Sequence, residues 1–137
     1  MDFIERLNDK INAIPAMPIQ SRLGYLDAVE SLALYPLPGS TVLHEYMDGV
    51  SDQRLNYEIA MKSRSQQKIS EVLWEVQKEL SDLNSLASSD GSFEFKDITI
   101  TNMPYINQLD DQGWFVFLLN LQADVTVYEN KEENING

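Results

Sequence analysis

Side chains able to do chemistry are few in this 137-residue chain, which has one histidine, His44, and no cysteine. That composition excludes disulfides, thiolate catalysis and Cys-ligated zinc or iron–sulfur centres, and leaves no second imidazole for a histidine metal cluster. His44 stands between Val42 and Tyr46 in what reads as a strand, where a packed or half-exposed ring is expected rather than the base of a Ser-His-Asp triad. Carboxylates are abundant, and Asp97 with Asp124, or Asp110 with Asp111, could serve as an acid–base pair of the glycosidase kind. Any acidic chain offers such pairs. Asp110-Asp111-Gln112-Gly113 has the composition of a turn with solvated charges, suited at most to a weak cation. Asp48-Gly49-Val50-Ser51-Asp52 lacks the ligand series of an EF-hand loop. No glycine-rich phosphate cradle, G-x-S-x-G elbow, H-E-x-x-H pair or basic stripe interleaved with aromatics is present. The expectation is a chain with no catalytic residue, no cofactor and no metal.

Two features point to protein contacts. Trp74 falls about 140° from Ile69 around a helix, outside the apolar stripe of Val72, Leu73, Val76 and Leu80. Exposed tryptophans are enriched in binding hot spots, so Trp74 is a candidate interface residue unless a loop or the chain end covers it. On the last strand, Trp114, Val116 and Leu118 are apolar on the face whose later positions are Asn120, Gln122, Asp124 and Thr126. Either the first helix or a neighbouring subunit must cover that apolar half, because large apolar patches seldom stay wet.

The length suits one hydrophobic core, and one α+β domain is expected over residues 1–128, with 129–137 as a frayed acidic tail. An apolar fraction of 43% and a charged fraction of 23% are those of a globular protein. Trp114 to Leu119, the longest clean apolar run, is far below the roughly 18 residues of a membrane span. Met1 to Arg6 lacks the basic lead and apolar segment of a signal peptide. Synthesis in a cytoplasm and no membrane partner are therefore expected. A net charge of −12 repels a phosphate backbone, which argues against gripping nucleic acid, although an acidic wall would let a duplex slide past.

The elements that must position these residues follow from apolar spacing. Phe3, Leu7, Ile11 and Ile14 predict an amphipathic helix, capped by Asp2 and stopped by Pro15 and Pro18. Residues 16–30 give conflicting signals. Ser31 to Leu37 reads as an edge strand or strand end punctuated by Pro36, Pro38 and Gly39. Thr41–Met47 and Arg54–Lys62 predict a hairpin around Asp48-Gly49. Ser63 with Gln66 is a capping pair for a second helix carrying Ile69 through Leu83. Phe93 and Phe95 occupy odd positions but Ile98 and Ile100 even ones, which predicts a β-bulge near Lys96 or Asp97. Asn102-Met103-Pro104 should end that strand. The last strand presents Phe115, Phe117, Leu119, Leu121, Ala123, Val125 and Val127 on one unbroken face, as a central strand would, and its length suggests that part of it projects or bends. The sum is an antiparallel or mixed sheet of four to five strands packed by two main helices.

With these elements placed, the chain resembles the minor capsid or tail-terminator family of long-tailed bacteriophages. The resemblance runs from about Ile4 to Tyr128. It is carried by Leu34-Tyr35-Pro36-Leu37-Pro38-Gly39-Ser40, Tyr46-Met47-Asp48-Gly49, Leu55-Asn56-Tyr57-Glu58-Ile59, Gln66-Gln67-Lys68, Phe93-Glu94-Phe95 with Ile98, Asn102-Met103-Pro104-Tyr105-Ile106, and Gly113 through Leu121. It implies a small α/β sandwich that forms a ring, usually of six copies, at the head-proximal end of the tail tube. Such a ring halts tube polymerisation and meets a head-completion protein, which places the chain in the virion. The alternative function is an acidic binding module that mimics nucleic acid, but its carboxylates are scattered through all elements rather than arrayed on one.

Overall fold

The computed structural model describes residues 1–128, so the stretch read as a tail, 129–137, lies outside the described residues. Two helices and six strands follow in the order α1 (Phe3–Asn12), β1 (Ser21–Leu23), β2 (Ser31–Pro36), β3 (Thr41–Glu45), β4 (Ser51–Ser63), α2 (Gln66–Ser81), β5 (Phe93–Leu109) and β6 (Phe115–Val127). The fold is α+β, as expected, with one more strand than the highest expected number. The strands form a single sheet in the order β1-β2-β4-β6-β5, with β3 lying beside β4. Every pairing is antiparallel except β1 with β2, so the sheet is mixed.

β4 is the middle strand. On one side its Tyr57–Lys62 stretch pairs with β2 and its Ser51–Arg54 stretch with β3; on the other it pairs with β6 along its full length. This corrects the reading of β6 as central: it sits one strand away, between β4 and β5. It is paired from Phe115 to Val127 with β4 and with β5, so no part of it projects. β2 is likewise not an edge over its first half, since β1 pairs with Leu32, Ala33 and Leu34. Pro36 does occupy the strand end, where a missing N–H disrupts little.

The two helices bury their stripes on one face of this sheet. Phe3, Leu7 and Ile11 of α1 and Ile69, Val72, Leu73, Val76 and Leu80 of α2 join Leu55, Tyr57, Ile59 and Met61 of β4 and Phe117 through Val125, taken at odd positions, in one core. Phe3 stacks edge-on against Phe93 at 5.1 Å and tilts against Tyr57 at 5.6 Å, arrangements that the ring quadrupole favours. The period-2 and period-3.6 patterns thus converge on a single layer.

Local details depart from expectation where a hydroxyl or carboxylate had two possible partners. Asp2 stands at the N-cap of α1 without a side-chain cap bond. Its carboxylate instead accepts from Ser88 Oγ at 2.6 Å and Ser89 N at 2.8 Å, tying the helix start to the turn before β5. The cap of α2 is Ser65, whose Oγ accepts from Lys68 N at 3.1 Å. Ser63, the expected cap, is still in β4; its Oγ accepts from Ser65 N at 3.0 Å and donates to Glu30 at 2.6 Å. Within 16–30 the unforeseen element is β1, anchored when Ser21 N donates to Asn12 Oδ1 at 2.6 Å and Asn12 Nδ2 donates to Ser21 O at 2.9 Å.

The bulge falls where it was expected. Phe95 pairs with Val125 but Asp97 with Asp124, leaving Lys96 as the extra residue that lets Phe93 and Ile98 both turn into the core. β5 does not stop at Asn102. Further register shifts carry it past Pro104 to Leu109, because an irregular edge strand can absorb a residue that lacks a donor.

Candidate functional site

With both helices on one face, the other face of the sheet is left uncovered, and its residues can be read row by row from the register. At the end where β4 begins stand Asp52, Thr126 and Glu94; then Arg54, Asp124 and Asp97; then Asn56, Gln122 and Thr99; then Tyr35, Glu58 and Asn120; then Ala33, Ala60, Leu118 and Tyr105; and finally Lys62 and Val116. Polar groups fill one end and apolar and aromatic groups the other. α1 does not cover the apolar half, since its buried side chains all lie in the core on the opposite face.

The polar rows are internally matched. Arg54 grips Asp124 with Nε at 2.9 Å and Nη2 at 3.1 Å, a forked pair. The candidate couple Asp97 and Asp124 are cross-strand partners, with Asp124 held by the Arg54 guanidinium. Asp52 accepts from Thr126 Oγ1 at 2.7 Å and Tyr46 OH at 2.9 Å, and these two bonds hold its carboxyl below the ordinary range. Tyr35 donates to Glu58. Burial, then that carboxylate, pushes the Tyr35 hydroxyl well above its usual pKa. Asp110 accepts from the N–H groups of Gln112 and Trp114, both at 2.9 Å, which is the turn chemistry its sequence suggested. His44 is exposed on β3, its ring 4.4 Å from that of Tyr46. Among the described residues no group of His, Asp and Glu is placed to hold a metal ion.

Of the four candidate contact residues, Trp74 is the most open, at 59% exposed. It lines a groove between α2 and the loop that follows α1, with Pro15, Met17 and Pro18 on one wall and Glu71 and Glu75 on the other. Ala16 in that loop has φ of 62°, a left-handed conformation that disfavours a side chain. Trp114 is half-buried. Cations sit over its ring, Arg64 Cζ at 4.6 Å and Lys62 Nζ at 5.2 Å from the centroid. Val116 is half-buried and Leu118 only 8% exposed, between Ala60 and Tyr105 on the neighbouring strands. Leu118 is therefore largely shielded by its own sheet. Sequence reasoning missed Met47, which is fully exposed at the tip of the β3–β4 hairpin, and Tyr46, 46% exposed beside it; the turn signal Asp48-Gly49 marked the tip but not what it displays.

The comparisons with known proteins bear on what these surfaces serve. Residues 9–127 match the family model for bacteriophage tail terminator proteins. The chain belongs to that family. As a tail terminator-family member it is a structural protein of a phage tail and so of the virion. One solved structure similar to it is a chain in a structure described as the virion of a native gene transfer agent particle, 10% identical, covering 88% of this chain and 84% of that one with a TM-score of 0.56. A second solved structure is 15% identical and covers 93% of each chain with a TM-score of 0.58. At such identities the likeness is one of fold. No curated protein matches the chain by sequence. In this chain both helices pack on one sheet face and neither covers the other.

Proposed function

We propose that residues 1–128 act as one domain that assembles, as a ring of six copies, at the head-proximal end of the tail. The ring ends polymerisation of the tail tube and presents its far side to a head-completion protein. Family membership supports the role, and Trp74 is the observation that carries it for this chain. A 59% exposed tryptophan beside a groove walled by two prolines and a methionine offers a partner apolar and aromatic surface to bury. It is the kind of anchor that interfaces bury. We assign this groove, with Trp74, to contact with the tail tube, and Trp114, Val116 and the rim of Leu118 to contact between copies. The net charge of −12 suits a conduit through which DNA passes without being held, with no sequence-specific contact and no catalysis. The protein is made in the host cytoplasm and ends in the neck of the virion, without a membrane partner.

Light scattering and negative-stain imaging of the chain with and without purified tail tubes test this reading. Rings seated on tube ends, and tubes that stop growing once capped, are the expected result. A chain that stays monomeric and leaves tubes uncapped and growing overturns it.

A further inference from the structure

The two ends of the uncovered sheet face are unlike, and they complement each other. At the start of β4 a shallow, open depression is lined by Tyr46, Met47, Asp48, Asp52, Glu94 and Tyr128. Its carboxylates already accept hydrogen bonds from within the chain: Asp52 from Tyr46 and Thr126, Glu94 from Tyr128 at 2.8 Å, Asp48 from Val50 N at 3.2 Å. Each retains further acceptor capacity. The one cation lining the pocket is Lys96, 3.7 Å from Glu94, so three carboxylates face one ammonium. The pocket also exposes apolar surface, since Met47 is fully open.

At the opposite end of the same strands, where β4 finishes and β6 begins, Lys62 and Arg64 lie over Trp114. Among the described residues neither cation forms an ion pair. In a chain with 22 acidic and 10 basic residues, two cations without a carboxylate partner among the described residues, stacked on an aromatic ring, form a surface opposite in sign to the first and like it in aromatic character. The ends are ~33 Å apart at ~3.3 Å per residue, too far to meet within one molecule.

We propose that the Lys62–Arg64–Trp114 end of one copy seats in the Tyr46–Asp52–Glu94 pocket of the next, head to tail. This inference rests on the ring reading above and supplies its contact between copies. Two different patches meeting in this way make a heterologous interface, the kind that closes into a ring when the rotation per copy allows. Two alternatives are weaker. Face-to-face pairing of two sheets would bury the middle rows, where Asn56, Gln122 and the Arg54–Asp124 pair stand; burying polar and charged groups without new partners is costly. Strand addition at β5 is opposed by its repeated register shifts and Pro104, which are devices that blunt an edge.

Charge reversal tests the contact. Arg64→Glu and Glu94→Lys, each checked for wild-type circular dichroism and melting, should each weaken ring formation on tail tubes about tenfold or more, because like charges are then juxtaposed. The double variant, in which the signs are exchanged across every interface, should recover most of it. A second measurement uses the absence of native cysteine: a chain carrying Met47→Cys and Gln112→Cys, oxidised during assembly, should give a ladder of dimers, trimers and higher species. Rings that form normally in both single variants, a double variant no better than the worse single, or cross-linking that stops at dimers overturns the head-to-tail contact and leaves the ring reading standing. A wild-type chain that stays monomeric even on tubes overturns both.

Discussion

Leu73 and Trp74 are neighbours on α2 with opposite fates, and substituting each by alanine separates folding from assembly. Leu73 is 0% exposed in the core, so Leu73→Ala removes buried methyl groups and leaves a cavity, at a cost of about 3–4 kcal/mol. For a domain of this size, 1 kcal/mol shifts the melting temperature by about 4 °C, so the variant should melt about 12–16 °C lower. Trp74 is 59% exposed. The remainder of its surface, about 100 Å² at about 25 cal/mol per Å², sets an upper bound of about 2.5 kcal/mol. The alanine keeps part of that burial and gains about half a kcal/mol in helix propensity, which leaves a cost of about 1 kcal/mol. Urea or thermal unfolding followed by circular dichroism measures both. The same two proteins are then mixed with tail tubes: Trp74→Ala should lose docking while remaining folded at room temperature, whereas any docking defect of Leu73→Ala should track its loss of folded protein. A Trp74→Ala protein as destabilised as Leu73→Ala would refute the assignment of helix faces, and one that docks with wild-type affinity would remove Trp74 from the tube contact.

Three further outcomes follow from local geometry. Ser65→Ala should cost about 1 kcal/mol by removing the bond to Lys68 N, a loss read by chemical denaturation and absent in Ser65→Asp, which can still cap. Burial, with Glu5 adding to it, pushes Tyr57 up to about 12. A raised folded-state pKa means that this stabilisation is complete below the ordinary tyrosine value near 10 and is lost as pH rises toward about 12. Ultraviolet titration should therefore show late phenolate steps, of Tyr35 as well as Tyr57, and Tyr57→Phe should remove one phenolate equivalent from them and weaken the loss of stability between pH 10 and about 12. Gly39 has φ of +100°, and a Cβ there would stand 3.1 Å from Asn56 Nδ2; Gly39→Ala should lower stability by about 1 kcal/mol or more in the same unfolding assay, while an unchanged midpoint would contradict the turn geometry.

Much of this protein was legible in its sequence because side-chain periodicity reports burial directly. The stripes Phe3-Leu7-Ile11 and Ile69 to Leu80, the odd positions of β6 and the extra residue Lys96 are all consequences of which side of a local element must avoid water. The turn at Asp48-Gly49 was also legible, but β3 pairs with Ser51–Arg54 and not with the Arg54–Lys62 stretch expected, most of which pairs with β2. The exposed position of Trp74 followed from the same arithmetic, and zero cysteines with one histidine restricted the chemistry before any fold was known. Tertiary structure alone decided what depends on partners distant in the chain. β1 is three residues long and carries no period; it exists because Asn12 and β2 supply its hydrogen bonds. Asp2 and Ser63 had cap-like sequence positions but found competing partners at Ser88 and Glu30. Leu118, apolar on the bare face, proved shielded by Ala60 and Tyr105 because register sets which strands' side chains stand beside it. Likewise the opposition of an acidic pocket to a cation-capped tryptophan arises only when β4 and β6 lie antiparallel along their full length, setting residues of remote sequence at the two ends of one surface.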